Sequence, residues 1–328
     1  MFTTKVKQII PVMILGLVLL LFPLFAPSRY IYFAIWGFMG IMWAVGLNIF
    51  FGYCGMINFG SSGFGCLAAY IFAILVSRAG VPQIAALILS LMVSGLIIYS
   101  VGRVLIVRLR HLVLGLATLA FSQSLYIAVS SGLKEYTGGE DGIHLPPLIL
   151  FGKTMDDVFY YYFALIAASV CYVVAEAICH SRTGRAMVSI REDEDAARSM
   201  GVNINKTITL AFVLSGLYCG VAAIILVQWT GWVSPEFFSM NTDVLVLLGV
   251  VLGGIGNIRG SVVGGAFIFM LPQVIIAFAH YALVVYGTIL VLLFRLAPGG
   301  LGGAFRFLVD RFIERKAVQD ARDGTPQS

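Results

Sequence analysis

The residues best suited to do chemistry sit in one dense charged run, Ser189-Ile-Arg-Glu-Asp-Glu-Asp-Ala-Ala-Arg-Ser-Met-Gly201. Ser189 and Glu192 have the spacing of a capping box, in which each side chain accepts a backbone N–H from the other residue. Gly201 stands where a left-handed C-terminal cap belongs. Arg191 and Asp195, like Glu194 and Arg198, are four apart and predicted to pair along one side of a helix. Ala196, Ala197 and Met200 form a short apolar stripe at helical spacing. The chemistry this pattern supports is docking, a capped helix offering a small apolar face to a partner; a solvated loop helix with no partner is the competing reading.

A second set of candidates is polar but neutral. Asn48, Asn58, Thr118, Ser122, Gln123 and Ser124 fall inside apolar stretches. There they either bond across helices or line a path for a solute with backbone-like polar groups. Ionisable residues are expected elsewhere: Glu176, Asp243 and Arg295 fall near the ends of apolar stretches, within reach of an interface. A charge at a bilayer centre costs about 2.5–3.5 kcal/mol. An ion-coupled secondary carrier, which needs buried carboxylates, is therefore the weaker alternative.

Catalytic chemistry finds no support. His111, His144, His180 and His280 lack metal-ligand spacing, and no P-loop pattern occurs. Cys54, Cys66, Cys171, Cys179 and Cys219 lie in or beside apolar blocks with no paired framework. No catalytic residue, metal ligand or cofactor is read from the chain, so a membrane-embedded enzyme is also disfavoured.

The elements that must position these residues are membrane helices. Sixty per cent of the chain is hydrophobic and only 11% charged, against about 25% charged in soluble domains. Apolar blocks of roughly 20 residues, the length that crosses ~30 Å of hydrocarbon as a helix, recur at 8–26, 31–50, 63–79, 83–102, 111–130, 158–179, 208–229, 242–258, 260–279 and 282–297. The expected fold class is an all-α, polytopic membrane protein of about ten transmembrane helices. The first block follows Lys5 and Lys7 like a signal peptide but lacks a small-x-small cleavage site, so it reads as a retained helix.

Of the 21 basic residues, Arg29, Arg78, Lys134 and Lys153 fall on one side of the expected membrane and the others on the opposite side. The positive-inside rule then puts both termini and the charged run in the cytoplasm. The net charge of +5 follows these loops, so no nucleic-acid partner is implied. The domains are a transmembrane region, 1–303, carrying a cytoplasmic loop at 180–207, and a basic cytoplasmic tail at 304–328.

Two glycine-rich breaks interrupt the pattern, near 52–62 and 253–260. Gly52-Tyr-Cys-Gly55-Met-Ile-Asn-Phe-Gly60-Ser61 and Gly253-Gly-Ile-Gly256-Asn-Ile-Arg-Gly260-Ser261 share Gly-x-x-Gly-x-Ile followed by Gly-Ser. Paired breaks in two halves point to a transport pathway, because freed backbone survives in a membrane only against protein or a water-filled cavity. The candidate path residues are Asn48, Gly52, Gly55, Asn58, Thr118, Gln123, Gly253 and Gly254. Tight helix packing is the competing explanation for each of the glycines.

Five ordered blocks resemble a known family, the LivM-type permeases of branched-chain (hydrophobic) amino acid ABC importers. Gly46-Leu-Asn-Ile-Phe-Phe-Gly-Tyr-Cys-Gly55 is similar to its G-L-N-L-L-x-G-Y-x-G. Leu116-Ala-Thr-Leu-Ala-Phe121 with Thr137-Gly-Gly-Glu-Asp-Gly142, and the run from Gly184 to Gly201, resemble further blocks. Val250-Val-Leu-Gly-Gly-Ile-Gly256 and Leu293-Phe-Arg-Leu-Ala-Pro-Gly-Gly-Leu301 complete the set.

The resemblance implies an ABC importer permease fold in the bacterial inner membrane. It further implies two cytoplasmic ATPase subunits, a second related permease or a second copy, a periplasmic solute-binding protein, and surrounding membrane lipid. It makes Gly184, Arg185, Arg191, Glu192, Glu194, Ala196, Ala197, Met200 and Gly201 an ATPase-coupling helix. After Gly55 the family commonly reads Q-[LVI]-S-[LF]-G-H, whereas this chain has Met56-Ile-Asn-Phe-Gly60-Ser61. Loss of those polar groups widens the expected cargo from hydrophobic amino acids to urea, amides and carboxylates.

Overall fold

The computed structural model describes residues 16, 18–109, 111–150 and 153–275. The expected span at 282–297, the tail at 304–328, Arg295 and the last family block lie outside these residues. So do most of 1–17 and the end of the 260–279 span.

Helix α1 covers residues 18–25, and Pro27 precedes α2, Ser28–Asn48, which runs on as a π-helical turn, Ile49–Tyr53. After an irregular stretch at 54–60 come α3, Ser61–Ser77, then α4, Gln83–Arg108, and α5, His111–Ile127. A π-helical turn, Ala128–Gly132, and the short α6, Lys134–Thr137, lead into a loop with strands β1, Ile143–His144, β2, Ile149–Leu150, and β3, Lys153–Thr154. Helix α7, Asp157–His180, precedes two short helices, α8, Arg182–Glu192, and α9, Glu194–Ser199. Helix α10, Ile204–Thr230, strand β4, Trp232–Val233, α11, Met240–Gly253, and α12, Ile258–Ile275, complete the description.

Among the described residues five helices are long and apolar enough to span a membrane, within Ser28–Tyr53, Gln83–Arg108, His111–Gly132, Asp157–His180 and Ile204–Thr230. The apolar helices α3 and α11 are shorter. Both breaks are narrower than expected: the first occupies 54–60, and the second only the residues between Gly253 and Ile258. The four two-residue strands lie in loops at the end away from α8 and α9, where β1 pairs antiparallel with β4 and β2 with β3.

Composition explains the layering. Helix α2 is apolar all round and mostly buried, as is α10, whereas α4, α5 and α7 bury only about a quarter of their residues and leave the rest partly or fully exposed. A helix of the second kind suits lipid on its outer face. Small residues allow the centre to close: a Cβ on Gly265 of α12 would collide with the Gly40 backbone of α2, and one on Gly46 would strike Tyr218 of α10. Large rings fill the remaining space, with Trp43 stacked on Phe269 at 5.3 Å and Phe212 edge-on to Phe50 and Phe64.

Candidate functional site

The two breaks meet. Asn48, fully buried at the end of α2, donates its Nδ2–H to Ser261 Oγ at 2.6 Å and accepts the Gly256 N–H on Oδ1 at 2.9 Å. One amide thus ties α2 to the loop and the first turn of α12, leaving no cost of an unpaired buried amide. Gly52 is needed beside it, because a Cβ there would strike Asn48 Oδ1 and the Gly256 nitrogen. Gly55, Gly254 and Gly256 have φ of 71°, 101° and 79°, a region that L side chains occupy only with strain.

Arg191 of α8 completes the junction. Its Nη1–H donates to the Gly52 carbonyl at 2.5 Å, a group that loses its ordinary partner where the helix ends. Its side-chain stem lies against Gly55, and its guanidinium against Gly256. A cation at a helix C-terminus is favourable. One side chain therefore contacts both breaks.

The charged run folds differently from its pattern. Ser189 caps nothing: it lies inside α8, and its hydroxyl donates to the Ala186 carbonyl at 2.9 Å. Ser181 caps α8 instead, accepting from the Thr183 and Gly184 N–H groups. Asp193 is extended and caps α9, accepting from Asp195 and Ala196 at 2.9 Å each. That extended residue separates Arg191 from Asp195, so the expected pair gives way to the Arg191–Gly52 bond. The Glu194–Arg198 pair forms at 3.0 Å, and Gly201 is left-handed with φ 83°.

The apolar stripe also divides. Met187, Ile190 and Ala197 are buried and anchor α8 and α9, while Ala196 is exposed and Met200 is 86% exposed. Glu192 is exposed, Arg185 donates to the His180 carbonyl at 3.2 Å, and Gly184 packs directly on the Cys179 backbone.

A separate polar cluster joins α3, α5 and α11. Asp243 does not reach an interface: it is 4% exposed. Its Oδ1 accepts the Ser62 N–H at 2.6 Å and the Ser61 hydroxyl at 3.2 Å. Its Oδ2 accepts the Ser62 hydroxyl at 2.6 Å and the Ser122 hydroxyl at 3.3 Å. The carboxylate sits at the N-terminus of α3, where the helix dipole favours negative charge.

The side chain reaches that place because Asp243 lies in the first turn of α11, which packs against α3; no hydropathy pattern reveals that pairing. Glu176, by contrast, is near its span end and accepts from Arg259 Nε at 3.0 Å.

The candidate path residues thus form two groups. Asn48, Gly52, Gly55, Gly253 and Gly254 belong to the junction of the breaks. Asn58 and Thr118 belong with the Asp243 cluster: Thr118 Oγ1 accepts the Phe59 N–H at 3.2 Å, and Gly60 packs on the Thr118 carbonyl. Asn58 Nδ2 and Gln123 Nε2 are buried donors with no hydrogen-bond partner among the described residues. Ser61 and Ser261 had no signal beyond the Gly-Ser shared by the two breaks, Gly256 none beyond their shared Gly-x-x-Gly, and Ser62 none at all.

Gly253 meets the backbone of Gly260 across the α11–α12 turn. Gly253→Leu is expected to force these helices apart, at about 1–3 kcal/mol or more for overpacking, and to lower both thermal stability in detergent and uptake. Full uptake by that variant would show that the close approach is dispensable.

A model of the family described as branched-chain amino acid transport system / permease component matches residues 29–294. The chain is 27% identical over 323 residues to the high-affinity branched-chain amino acid transport system permease protein LivM of Salmonella typhimurium, covering 91% of this chain and 76% of that relative. It is 28% identical over 282 residues to the corresponding permease protein BraD of Pseudomonas aeruginosa, covering 79% of this chain and 90% of BraD. A 128-residue stretch is 31% identical to the permease protein LivH of Escherichia coli K12, covering 38% of this chain and 41% of LivH. No solved structure matches.

Proposed function

Because the chain belongs to the family of permease components of branched-chain amino acid transport systems, we propose that it is the non-catalytic, membrane-spanning subunit of an ABC importer in the bacterial inner membrane. Its cargo is a branched-chain or other hydrophobic amino acid, or a related small polar solute such as urea, an amide or a carboxylate. Two cytoplasmic ATPase subunits supply hydrolysis, and a periplasmic binding protein delivers cargo. Similarity to both LivM and LivH supports pairing with a second, related permease. Both termini and the α8–α9 pair face the cytoplasm, the side that most of the basic residues share.

The observation that carries this reading is Arg191, which extends from the α8–α9 pair to the junction of the two breaks. A partner that grips α8 and α9 from outside acts through it on both breaks at once. Nucleotide binding and hydrolysis then bias the permease between inward-open and outward-open arrangements by differential affinity.

The docking face is Ala196 and Met200. Ala197 is buried against the bundle, so its substitution would test folding and not docking. Ala196→Arg and Met200→Glu are each expected to insert at the normal level, lose the ATPase subunits in a pull-down, and reduce uptake roughly tenfold or more, as when one interface anchor is removed. Normal ATPase recovery with normal uptake would sink the assignment. An ion-coupled carrier is the alternative, and the buried Asp243 is the group it would use.

A further inference from the structure

Two grooves on the outer face of the bundle meet at a shared residue. At the end that carries α8 and α9, a groove of ≈ 560 Å³ opens between α4 and α10, with Tyr99, Arg103, Lys206 and Thr209 among its lining residues. A second groove of ≈ 570 Å³ continues toward the middle of the bundle between α4, α7 and α10, lined by Met92, Val174, Leu217 and Val221 among others. Val213 lines both. Its successors Leu217 and Val221 are four and eight residues on, so one face of α10 floors the whole length.

Polarity changes along this course. The first groove holds two cations, two hydroxyls and the amides of Asn203 and Asn205, and no acidic residue among the described residues lines either groove. The second is walled almost entirely by aliphatic side chains. From Lys206 to Val221 the floor runs about 22 Å at 1.5 Å per residue. One leaflet of a bilayer, half of ~40–45 Å with its headgroup region, has about the same depth.

We propose that these two grooves together bind one anionic phospholipid, its phosphate held by Arg103 and Lys206 and an acyl chain laid along Val213, Leu217 and Val221. Arg103 offers a planar fork that matches phosphate oxygens, and Lys206 adds a point charge. Tyr99 and Thr209 supply hydroxyls at the same level. Basic residues at span ends commonly extend toward the interface alone; here they stand at the head of a chain-length apolar channel. A partner helix is a poorer fit. Close helix contacts in membranes use small residues, as α2 and α12 do here at Gly40 and Gly265, whereas this groove is lined mainly by Met, Leu and Val. The orientation proposed above puts the lipid in the cytoplasmic leaflet; the site itself does not depend on that reading.

Native mass spectrometry of the purified full-length chain, released from nanodiscs of phosphatidylglycerol or of phosphatidylcholine, tests the site. The wild-type chain is expected to retain one phosphatidylglycerol and to release phosphatidylcholine. Combined Arg103→Glu and Lys206→Glu is expected to lower phosphatidylglycerol retention roughly tenfold or more, since each basic residue contributes to anionic-lipid attraction. Arg108→Glu, a nearby charge outside the groove, is expected to retain it. Combined Arg103→Gln and Lys206→Gln gives the same loss with a smaller disturbance of folding, checked by an unchanged melting temperature. Equal retention of the two lipids, or unchanged retention in both double variants, would overturn the proposal. So would efficient disulfide cross-linking from Met92→Cys to a second permease subunit, which would make the groove a protein interface.

Discussion

Arg191→Ala is expected to abolish most uptake while leaving the ATPase subunits bound. The guanidinium donates to the Gly52 carbonyl and lies against Gly55 and Gly256, whereas Ala196 lies in α9 and Met200 at its C-terminal cap, and both are exposed. In the proposed reading, docking and transmission thus fall to different residues of the same helix pair. A hydrogen bond from a charged group contributes about 1.5–3 kcal/mol. The Arg191 bond is partly exposed, so the lower figure applies, equivalent to about a tenfold shift between arrangements of the breaks.

The diagnostic result is a complex that assembles at normal level and hydrolyses ATP with cargo accumulation reduced about tenfold. Arg191→Lys keeps the charge but loses the planar fork and reach, and an intermediate uptake is expected. Unchanged uptake by Arg191→Ala would show that motion reaches the breaks by another route. Loss of the ATPase subunits along with uptake would move Arg191 to the docking face.

Asp243→Ala is expected to have the largest effect on folding. It would leave the Ser62 N–H and the Ser61 hydroxyl without their acceptor, and the Ser62 and Ser122 hydroxyls with only the Phe238 carbonyl and each other; buried donors without partners are costly. A buried donor left unsatisfied commonly costs about 1–3 kcal/mol, and two of them together are enough to remove much of the correctly assembled protein. Asp243→Asn keeps the shape, and the serine hydroxyls can rotate to accept from its amide, so its loss of stability is expected to be smaller.

The asparagine variant also separates the two transport readings. An ABC permease with Asp243→Asn is expected to retain ATP-dependent uptake with no change in its response to a pH gradient. Uptake that loses its dependence on a pH gradient, in a protein of normal stability, would favour the ion-coupled carrier.

The chain alone announced a helical membrane protein, because long apolar blocks have one stable form in lipid: a helix whose backbone groups satisfy one another. It also marked both breaks, since glycine runs are the local signature of backbone that leaves a helix. The left-handed cap at Gly201 and the Glu194–Arg198 pair were legible for the same reason: each depends on residues no more than four apart. Errors in the charged run were local competitions. Asp193, with a carboxylate poised to accept two N–H groups, displaced the capping box expected of Ser189 and Glu192.

Tertiary structure decided everything that joins distant segments. Asn48 is 213 residues from Ser261, Arg191 is 139 from Gly52, and Asp243 is 181 from Ser62. Side chains at such separations are brought together by packing of whole helices, set here by where Gly40, Gly46 and Gly265 let backbones approach. Periodicity reports which face of a helix is apolar, not which neighbour that face meets. For that reason the class of the protein and the places where its helices break are legible in local sequence. Only in the assembled bundle do the breaks meet, does one arginine hold them to α8, and does Asp243 lie buried.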